Sequence, residues 1–249
     1  APAHFRRVLK ANPDLPQGQT LGESAAGAKW FTLEEIIALR EFFAAEGAAT
    51  KEYKPWRPEG LPAKVAAVAN FKGGVGKTST ALHLAMAAAL DGYRVLVVDL
   101  DSQGSMTSIL GGSVEDEWGT VFPLIAKDYA KALERENEVR AAAGETPRAL
   151  DETLTEALRT DASRIVQRTH WPNVDLIGAQ LNLYWAEFQI PVWRMHLPSW
   201  RLWDALGNFF EEEGLLERYD IVLLDTPPAL GYLTINALSA ADILLVPLG

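Results

Sequence analysis

Residues 71–79 read Phe-Lys-Gly-Gly-Val-Gly-Lys-Thr-Ser. The apolar residues 65–69 come before this stretch and predict a buried strand, and residues 78–90, rich in Ala and Leu, predict a helix after it. A glycine-rich loop between a strand and a helix forms a phosphate-binding loop (P-loop), because its backbone N–H groups and the helix N-terminus both attract anions. The predicted nucleotide-binding residues are Gly73, Gly74, Val75, Gly76, Lys77, Thr78 and Ser79.

Two lysines distinguish this P-loop. Lys77 would bring a positive charge to the phosphates, and the hydroxyl of its neighbour Thr78 would coordinate Mg²⁺. A standard P-loop has a glycine five residues before Gly76, where this chain has Phe71, and the second lysine, Lys72, follows. The loop therefore departs from the standard pattern at its start.

The composition excludes several classes of protein. The 249 residues are 48% hydrophobic and 22% charged, as in a globular protein, and no charge-free apolar run reaches the length of about 18 residues that a membrane helix needs. The absence of cysteine excludes disulfides, thiolate–zinc sites and a cysteine nucleophile, and fits a reducing cytoplasm. The net charge of −10 argues against a wholly basic nucleic-acid binder, although residues 1–64 hold 9 Lys/Arg against 8 Asp/Glu.

Residues 1–60 are predicted to form a small N-terminal helical module. Thr32 and Glu35 have the spacing of a capping box, and apolar residues at helical spacing follow them until Gly47, which is predicted to end the helix. Three prolines in residues 54–62 indicate an extended linker. The module is interpreted either as a helix-turn-helix that reads DNA or as a dimerisation element.

Residues 61–249 alternate between predicted strands and helices. This alternation predicts an α/β fold, a doubly wound and mostly parallel sheet of the P-loop NTPase type. The predicted strands are residues 65–70, 94–99, 174–177, 221–224 and 243–246. Besides residues 78–90, the predicted helices are residues 121–143, 150–159, 200–213 and 232–240. Residues 126–143 are interpreted as a solvated helix, and the tryptophans near position 193 as core or interface residues rather than a nucleic-acid stacking surface.

Three aspartates follow predicted strands. Asp99 and Asp101 lie one residue apart at the end of the second strand, and Asp225 ends the strand that begins at residue 221. Open α/β sheets bind ligands at the carboxyl ends of their strands, where such carboxylates can serve Mg²⁺ and a water. The predicted metal ligands are therefore Thr78, Asp99 and Asp225.

Three motifs together resemble those of the ParA/MinD family of deviant Walker A ATPases. They are K-G-G-x-G-K-[ST] from Lys72, D-x-D-x-Q-G from Asp99, and D-x-P-P from Asp225; the family usually has proline where this chain has Ser102. The resemblance implies that Lys72 reaches the partner's phosphates across a nucleotide-sandwich dimer and that Asp101 positions the attacking water. The catalytic residues expected from it are Lys72, Lys77 and Asp101.

The resemblance covers about residues 64–249, and it is greatest to the large ParA and RepA plasmid partition proteins with an N-terminal extension. It implies a cytoplasmic, nucleoid-associated homodimer that binds ATP, Mg²⁺ and DNA. Its ATP hydrolysis would be slow and stimulated by DNA and a ParB-type partner. A nucleotide-dependent autorepressor of its own operon is the alternative, and a cobyrinate-type metabolic enzyme is a third. The chain is also expected to lack the C-terminal stretch that completes the adenine pocket and the DNA surface.

Overall fold

The computed structural model describes residues 2–20, 29–45 and 60–248. The described residues form two compact units. The first consists of the residues up to position 45 together with Leu90–Tyr93, and the second of residues 60–89 and 94–248.

The first unit contains two helices and a short hairpin. Its elements are α1 (Pro2–Ala11), β1 (Gln19–Thr20), β2 (Lys29–Trp30) and α2 (Leu33–Ala45). β1 and β2 pair antiparallel. The hairpin lies between α1 and α2 in the chain, and the interpretation of this unit as a helix-turn-helix or a dimerisation element stays a prediction.

The predicted capping box at the start of α2 is confirmed. The backbone N–H of Thr32 donates to Glu35 Oε2 at 2.8 Å, and the N–H of Glu35 donates to Thr32 Oγ1 at 3.3 Å. These two bonds satisfy N–H groups that have no partner within the helix. Gly47 and residues 54–59 of the predicted linker lie outside the described residues.

The second unit is a sheet with helices, and the predicted α/β class is confirmed. Its strands are β3 (Lys64–Val68), β4 (Val95–Asp99), β5 (Gln167–Arg168), β6 (Val174–Ile177), β7 (Ile221–Asp225) and β8 (Ile243–Leu245). Its helices are α3 (Lys77–Asp91), α4 (Ser105–Ile109), α5 (Phe122–Ala142), α6 (Glu152–Ala157), α7 (Ala162–Ile165), α8 (Ala186–His196), α9 (Ala205–Glu212), α10 (Leu215–Arg218) and α11 (Tyr232–Ala240). Short 3₁₀ helices cover Glu117–Gly119 and Leu181–Trp185.

The sheet has the strand order β5-β6-β4-β7-β3-β8. All neighbouring pairs are parallel except β5 with β6, which is antiparallel. Helices connect the parallel strands, so the central strands are buried on both faces, which explains their unbroken runs of Val, Leu, Ile and Ala. β4, β7 and β3 lie side by side, and their carboxyl ends meet at one edge of the sheet.

All five predicted strands are present, but two features of the helices differ from expectation. The interpretation of residues 126–143 as a solvated helix is wrong for its first half, because Ala126, Ala130 and Leu133 are buried in the core. Helix α8 was not predicted, since Pro191 lies inside it and its apolar residues occur on two faces.

The aromatic cluster beside α5 is part of the core. The rings of Tyr129 and Trp193 are stacked with centroids 5.1 Å apart, and Trp200 packs edge-on against Tyr129 at 5.0 Å. The indole N–H of Trp200 donates to Asp128 at 2.7 Å. These contacts confirm core packing for Trp193 and Trp200, whereas Trp185 is 69% exposed.

Within the described ranges, no helix combines the length and the apolar character that crossing a bilayer requires.

Candidate nucleotide site

The carboxyl ends of β3, β4 and β7 bring the predicted site residues to one edge of the sheet. Asp225, at the end of β7, is in register with Asp99 of β4 and Val68 of β3. The N–H of Leu100 donates to the Asp225 carbonyl at 2.9 Å, and the Thr226 hydroxyl donates to the Val68 carbonyl at 2.9 Å. Backbone hydrogen bonds thus fix the three segments relative to one another.

The P-loop is open on the side where phosphates would lie. Gly74 and Gly76 have φ values of 74° and 82°, a left-handed conformation that favours glycine. A Cβ atom built on either glycine, or on Gly73, meets no other atom within 4 Å. The backbone conformation therefore requires glycine at positions 74 and 76, and the space beside all three glycines is free of protein atoms.

The two lysines of the P-loop differ in exposure. Lys77 opens α3 and is only 7% exposed, whereas Lys72 is exposed. The start of the loop is anchored by Asn70, whose Oδ1 accepts from the N–H of Lys72 at 2.9 Å and whose Nδ2 donates to the Pro247 carbonyl at 2.8 Å. Sequence reasoning missed this anchor; the only signal was an amide side chain directly before the loop.

Asp225 is the most unusual polar residue of the site. It is 1% exposed, and neither carboxylate oxygen has a hydrogen-bond partner among the described residues. Burial raises its pKa to about 7, and the charges of Asp99 and Asp101 add to this effect. The nearby Thr78 hydroxyl and Lys77 ammonium oppose it, although Thr78 does not reach hydrogen-bonding geometry with the carboxylate. A buried carboxylate without a partner is costly unless a cation is bound nearby.

Asp99 holds the neighbouring loop in place. This fully buried carboxylate accepts from the N–H of Asp101 at 3.1 Å, and from the N–H and hydroxyl of Thr107 at 2.9 and 2.8 Å. Burial raises its pKa to about 6, against the opposing effect of these hydrogen bonds. Both of its oxygens are thus engaged within the protein, and direct coordination of Mg²⁺ by Asp99 stays a prediction.

Asp101 lies in the turn that Asp99 organises. It is half-buried, its Oδ1 accepts from the N–H of Gln103 at 3.0 Å, and its carbonyl accepts from the N–H of Gly104 at 2.8 Å. Gly104 has φ of 62°, and a Cβ there would lie 2.8 Å from the Ala179 carbonyl. The turn forms with Ser102 at its second position, and its hydrogen bonds hold the Asp101 carboxylate just beyond the end of β4.

The donor set suits a magnesium ion that is shared with phosphates. The described residues contain no group of three or more His, Cys, Asp or Glu side chains able to hold a metal by themselves. Magnesium typically takes one or two carboxylates, and completes its shell with substrate phosphates and waters. The unpartnered Asp225 carboxylate near Thr78 matches that requirement.

Replacing Asp225 with asparagine should remove a pH dependence of stability in the nucleotide-free protein. The pKa of Asp225 is about 7 when folded and about 3.9 in an unfolded chain, so the folded state binds more protons between these values. The free energy of unfolding therefore falls as the pH rises through this interval, and the contribution of the Asp225 carboxyl to this fall is at most about 4 kcal/mol. Urea unfolding at several pH values from 5 to 8 should show wild type losing stability relative to D225N. A difference between the two proteins that does not change with pH would contradict the assignment.

Replacing Thr107 with valine should destabilise the site by about 1–3 kcal/mol. The Thr107 hydroxyl donates to Asp99 and accepts from the N–H of Ala179 at 2.8 Å, and valine leaves both buried groups without this partner. Thr107→Ser is the matched control, because it keeps the hydroxyl. Denaturant midpoints should therefore rank T107V below T107S, and the opposite order would show that the hydroxyl does not stabilise this turn.

Known proteins resemble this chain both in sequence and in structure. Residues 63–249 match the family described as AAA domain. A putative replication protein A of Rhizobium rhizogenes is 32% identical over 252 residues, covering 98% of this chain and 53% of that protein. The chromosome partitioning protein ParA of Caulobacter vibrioides is 34% identical over 187 residues, covering 75% of this chain and 56% of that protein.

A solved structure is similar as well. Cobyrinic acid a,c-diamide synthase of Mycobacterium smegmatis, with bound ADP and magnesium, has a TM-score of 0.55 and 29% identity to this chain. The similarity covers 75% of this chain and 60% of that one. The chain spans about half the length of the curated relatives named above.

Proposed function

Because this chain belongs to the ParA/MinD family of deviant Walker A ATPases, we propose that it is a partition ATPase that binds and hydrolyses ATP with Mg²⁺. It acts as a nucleotide-sandwich homodimer, binds DNA without sequence preference, and works with a ParB-type partner in plasmid or chromosome segregation. Its place is the cytoplasm, on the nucleoid. The proposal is supported by the ParA relative and by the three motifs at one edge of the sheet.

One observation carries the proposal. The Asp225 carboxylate is buried without a hydrogen-bond partner among the described residues, close to Thr78 and Lys77 and near an open glycine loop. A protein that bound no cation at this point would gain stability from a neutral side chain there. The arrangement is explained if the carboxylate faces a magnesium ion during the working cycle.

The binding step uses the backbone of the P-loop and Lys77. The N–H groups at the start of α3 and the left-handed glycines suit an anion, and Lys77 adds a charge that burial keeps from water. Bound Mg²⁺ would neutralise the phosphate oxygens on which charge develops. Thr78 and Asp225 are the residues proposed to hold it, with Asp99 as a further candidate.

The hydrolysis step uses Asp101 and Lys72. Asp101 would accept a hydrogen bond from the attacking water and orient it. The Asp99 carboxylate fixes the position of Asp101 by accepting a hydrogen bond from the backbone N–H of Asp101. Lys72 is exposed, so its ammonium is accessible to a second subunit's phosphates. Because Lys72 would come from the second subunit, hydrolysis is coupled to dimerisation. The enzyme is then a switch, and the presence of the γ-phosphate decides its state.

The first test is phosphate release from ATP by the purified chain. Hydrolysis should need Mg²⁺, stop on chelation with EDTA and proceed without any organic co-substrate. The last condition separates a partition ATPase from the metabolic-enzyme interpretation, in which phosphate release needs an acceptor molecule. ATP that is neither bound nor hydrolysed in the presence of Mg²⁺ would reject the proposal.

The second test is binding to a random-sequence DNA duplex with ATP or ADP. The switch predicts binding with Mg²⁺ and ATP that weakens steeply as salt rises, and much weaker binding with ADP. Because the whole chain carries a net charge of −10, its DNA surface must be local. Equal binding in both nucleotide states would reject the nucleotide switch.

A second candidate function is transcriptional repression of its own operon by the N-terminal unit. Two observations favour it: the relative aligned over 98% of this chain includes this unit, and Arg6, Arg7 and Lys10 are exposed on α1. Selection from a random duplex library should then enrich one sequence, and alanines at the three positions should reduce that enrichment. Selection without any preferred sequence would leave only the partition function.

A further inference from the structure

An exposed row of apolar side chains follows β6. It consists of Leu181, Tyr184, Trp185, Phe188, Val192 and Met195, which are 70%, 56%, 69%, 53%, 43% and 80% exposed. We call this set the apolar stripe. It begins in the 3₁₀ helix Leu181–Trp185 and continues along α8.

The apolar stripe occupies one side of this helical segment. At 3.6 residues per turn, its six members fall within an arc of about 100°. The other side of the segment contributes Leu183, Ala186, Ile190 and Trp193 to the core. A helix that is apolar on opposite sides is normally covered on both. Among the residues that the structure describes, only one side of α8 is buried.

The stripe is cohesive and uncharged. The ring of Phe188 packs against those of Tyr184 and Trp185, with centroids 5.1 and 5.8 Å apart. From the exposed fractions, the six side chains present roughly 600–700 Å² of surface, given 150–250 Å² for an aromatic residue. The largest apolar patch on a typical monomer is about 300–600 Å², and a stable dimer buries about 800 Å² on each partner. The stripe is thus large enough to form most of one side of an interface.

The stripe is connected to the nucleotide site through Glu187. This residue of α8 accepts from the N–H groups of Tyr232 and Leu233 at 2.7 and 3.0 Å, and so caps α11. A Cβ on Gly231 would lie 2.5 Å from the Glu187 carboxylate, so glycine permits this close approach. The loop held in this way follows Asp225 at the end of β7, so the first turn of α8 lies on the side of the sheet where that strand ends.

We propose that the apolar stripe binds the same stripe of a second copy of this chain across a twofold axis. The inference rests on the proposed function, and it adds an apolar contact to the nucleotide-sandwich dimer. An uncharged patch is complementary to itself, as a twofold contact requires. It also lets two chains that each carry a net charge of −10 approach without placing like charges together. DNA is not the occupant, since the stripe contains no Lys or Arg to contact phosphates.

Sedimentation velocity of the full 249-residue chain tests this contact, with Mg²⁺ and either a non-hydrolysable ATP analogue or ADP. Phe188→Glu and Trp185→Glu should each raise the dimer dissociation constant at least about tenfold, because they bury an unpaired charge in the interface. Phe188→Leu should dimerise nearly as well as wild type. Val139→Glu is the matched control, because Val139 is 66% exposed on α5 and lies outside the stripe. Binding of a fluorescent ATP analogue, unchanged in all variants, shows that each is folded.

Two results would overturn the inference. One is a wild-type chain that stays monomeric up to about 100 µM in every nucleotide state. The stripe would then not bind a second copy of the chain, and its partner would be a different protein. The other is dimerisation that Phe188→Glu and Trp185→Glu leave unchanged. If wild type binds and hydrolyses ATP, and both variants dimerise with the wild-type dissociation constant, the inference fails and the proposed function stands. If ATP is not bound but a dimer still depends on Phe188, the proposed function fails and the inference stands.

Discussion

Replacing Lys77 with alanine should reduce ATP hydrolysis by at least about 10²–10³-fold, the effect of removing one preorganised charge from a site of developing negative charge. Lys77 is 7% exposed and opens α3, so its ammonium acts where water screens it little. ATP affinity should also fall, because the role proposed for Lys77 is to contact the phosphates before and during the reaction. Isothermal titration with ATP and a phosphate-release assay measure the two losses separately.

Two controls make the Lys77 result interpretable. Lys131→Ala removes a lysine of α5 that pairs with Glu212 at 2.5 Å, away from the P-loop, and should leave hydrolysis unchanged. Circular dichroism and the denaturant midpoint of K77A show whether the loss of a buried side chain has unfolded the protein. A folded K77A that hydrolyses ATP at the wild-type rate would exclude the P-loop as the active site.

Replacing Lys72 with alanine should also reduce hydrolysis by about 10²–10³-fold, but it should change the affinity of the single chain for ATP no more than about threefold. The backbone N–H of Lys72 donates to Asn70 Oδ1 and so holds the start of the loop. Alanine at position 72 keeps this hydrogen bond, because the donor is the backbone. The Lys72 ammonium is exposed, and in the proposed dimer it would reach the phosphates bound by the other subunit. Turnover measured at saturating ATP, together with direct binding, separates a lost catalytic charge from a lost binding contact. The exposed Lys64→Ala is the matched control and should hydrolyse ATP normally.

A mixing experiment tests whether Lys72 acts across the dimer. K72A retains Asp101, and Asp101→Ala retains Lys72, so a mixed dimer contains one site with both groups if Lys72 comes from the partner. Mixing equal amounts of the two inactive proteins should restore up to about a quarter of the wild-type rate, because half of the dimers are mixed and each has one complete site. No recovery, with mixed dimers demonstrated, would mean that Lys72 acts within its own subunit.

Much of the fold could be predicted because parallel strands covered on both faces have a simple signal. Five apolar runs predicted five strands, and their bounds differ from the observed ones by no more than two residues. Helix α8 gave no such signal, because a helix that is apolar on two sides has no single 3.6-residue period. Its inner side fits the core, and its outer side is the apolar stripe, so only the folded chain separates the two.

The sequence alone determined the P-loop, the order of the two aspartate motifs that follow it and the α/β class, because these depend on local spacing and on hydrophobic runs. Only the tertiary structure decided how the carboxylates differ. Asp99 is fully satisfied by Thr107 and Asp101, whereas Asp225, in register with it on the next strand, is buried with no hydrogen-bond partner among the described residues. Burial and hydrogen bonding depend on which segments the sheet brings together, and residues far apart in the chain supply them. For the same reason the cap that Glu187 places on α11 could not be predicted, since it joins residues 45 positions apart.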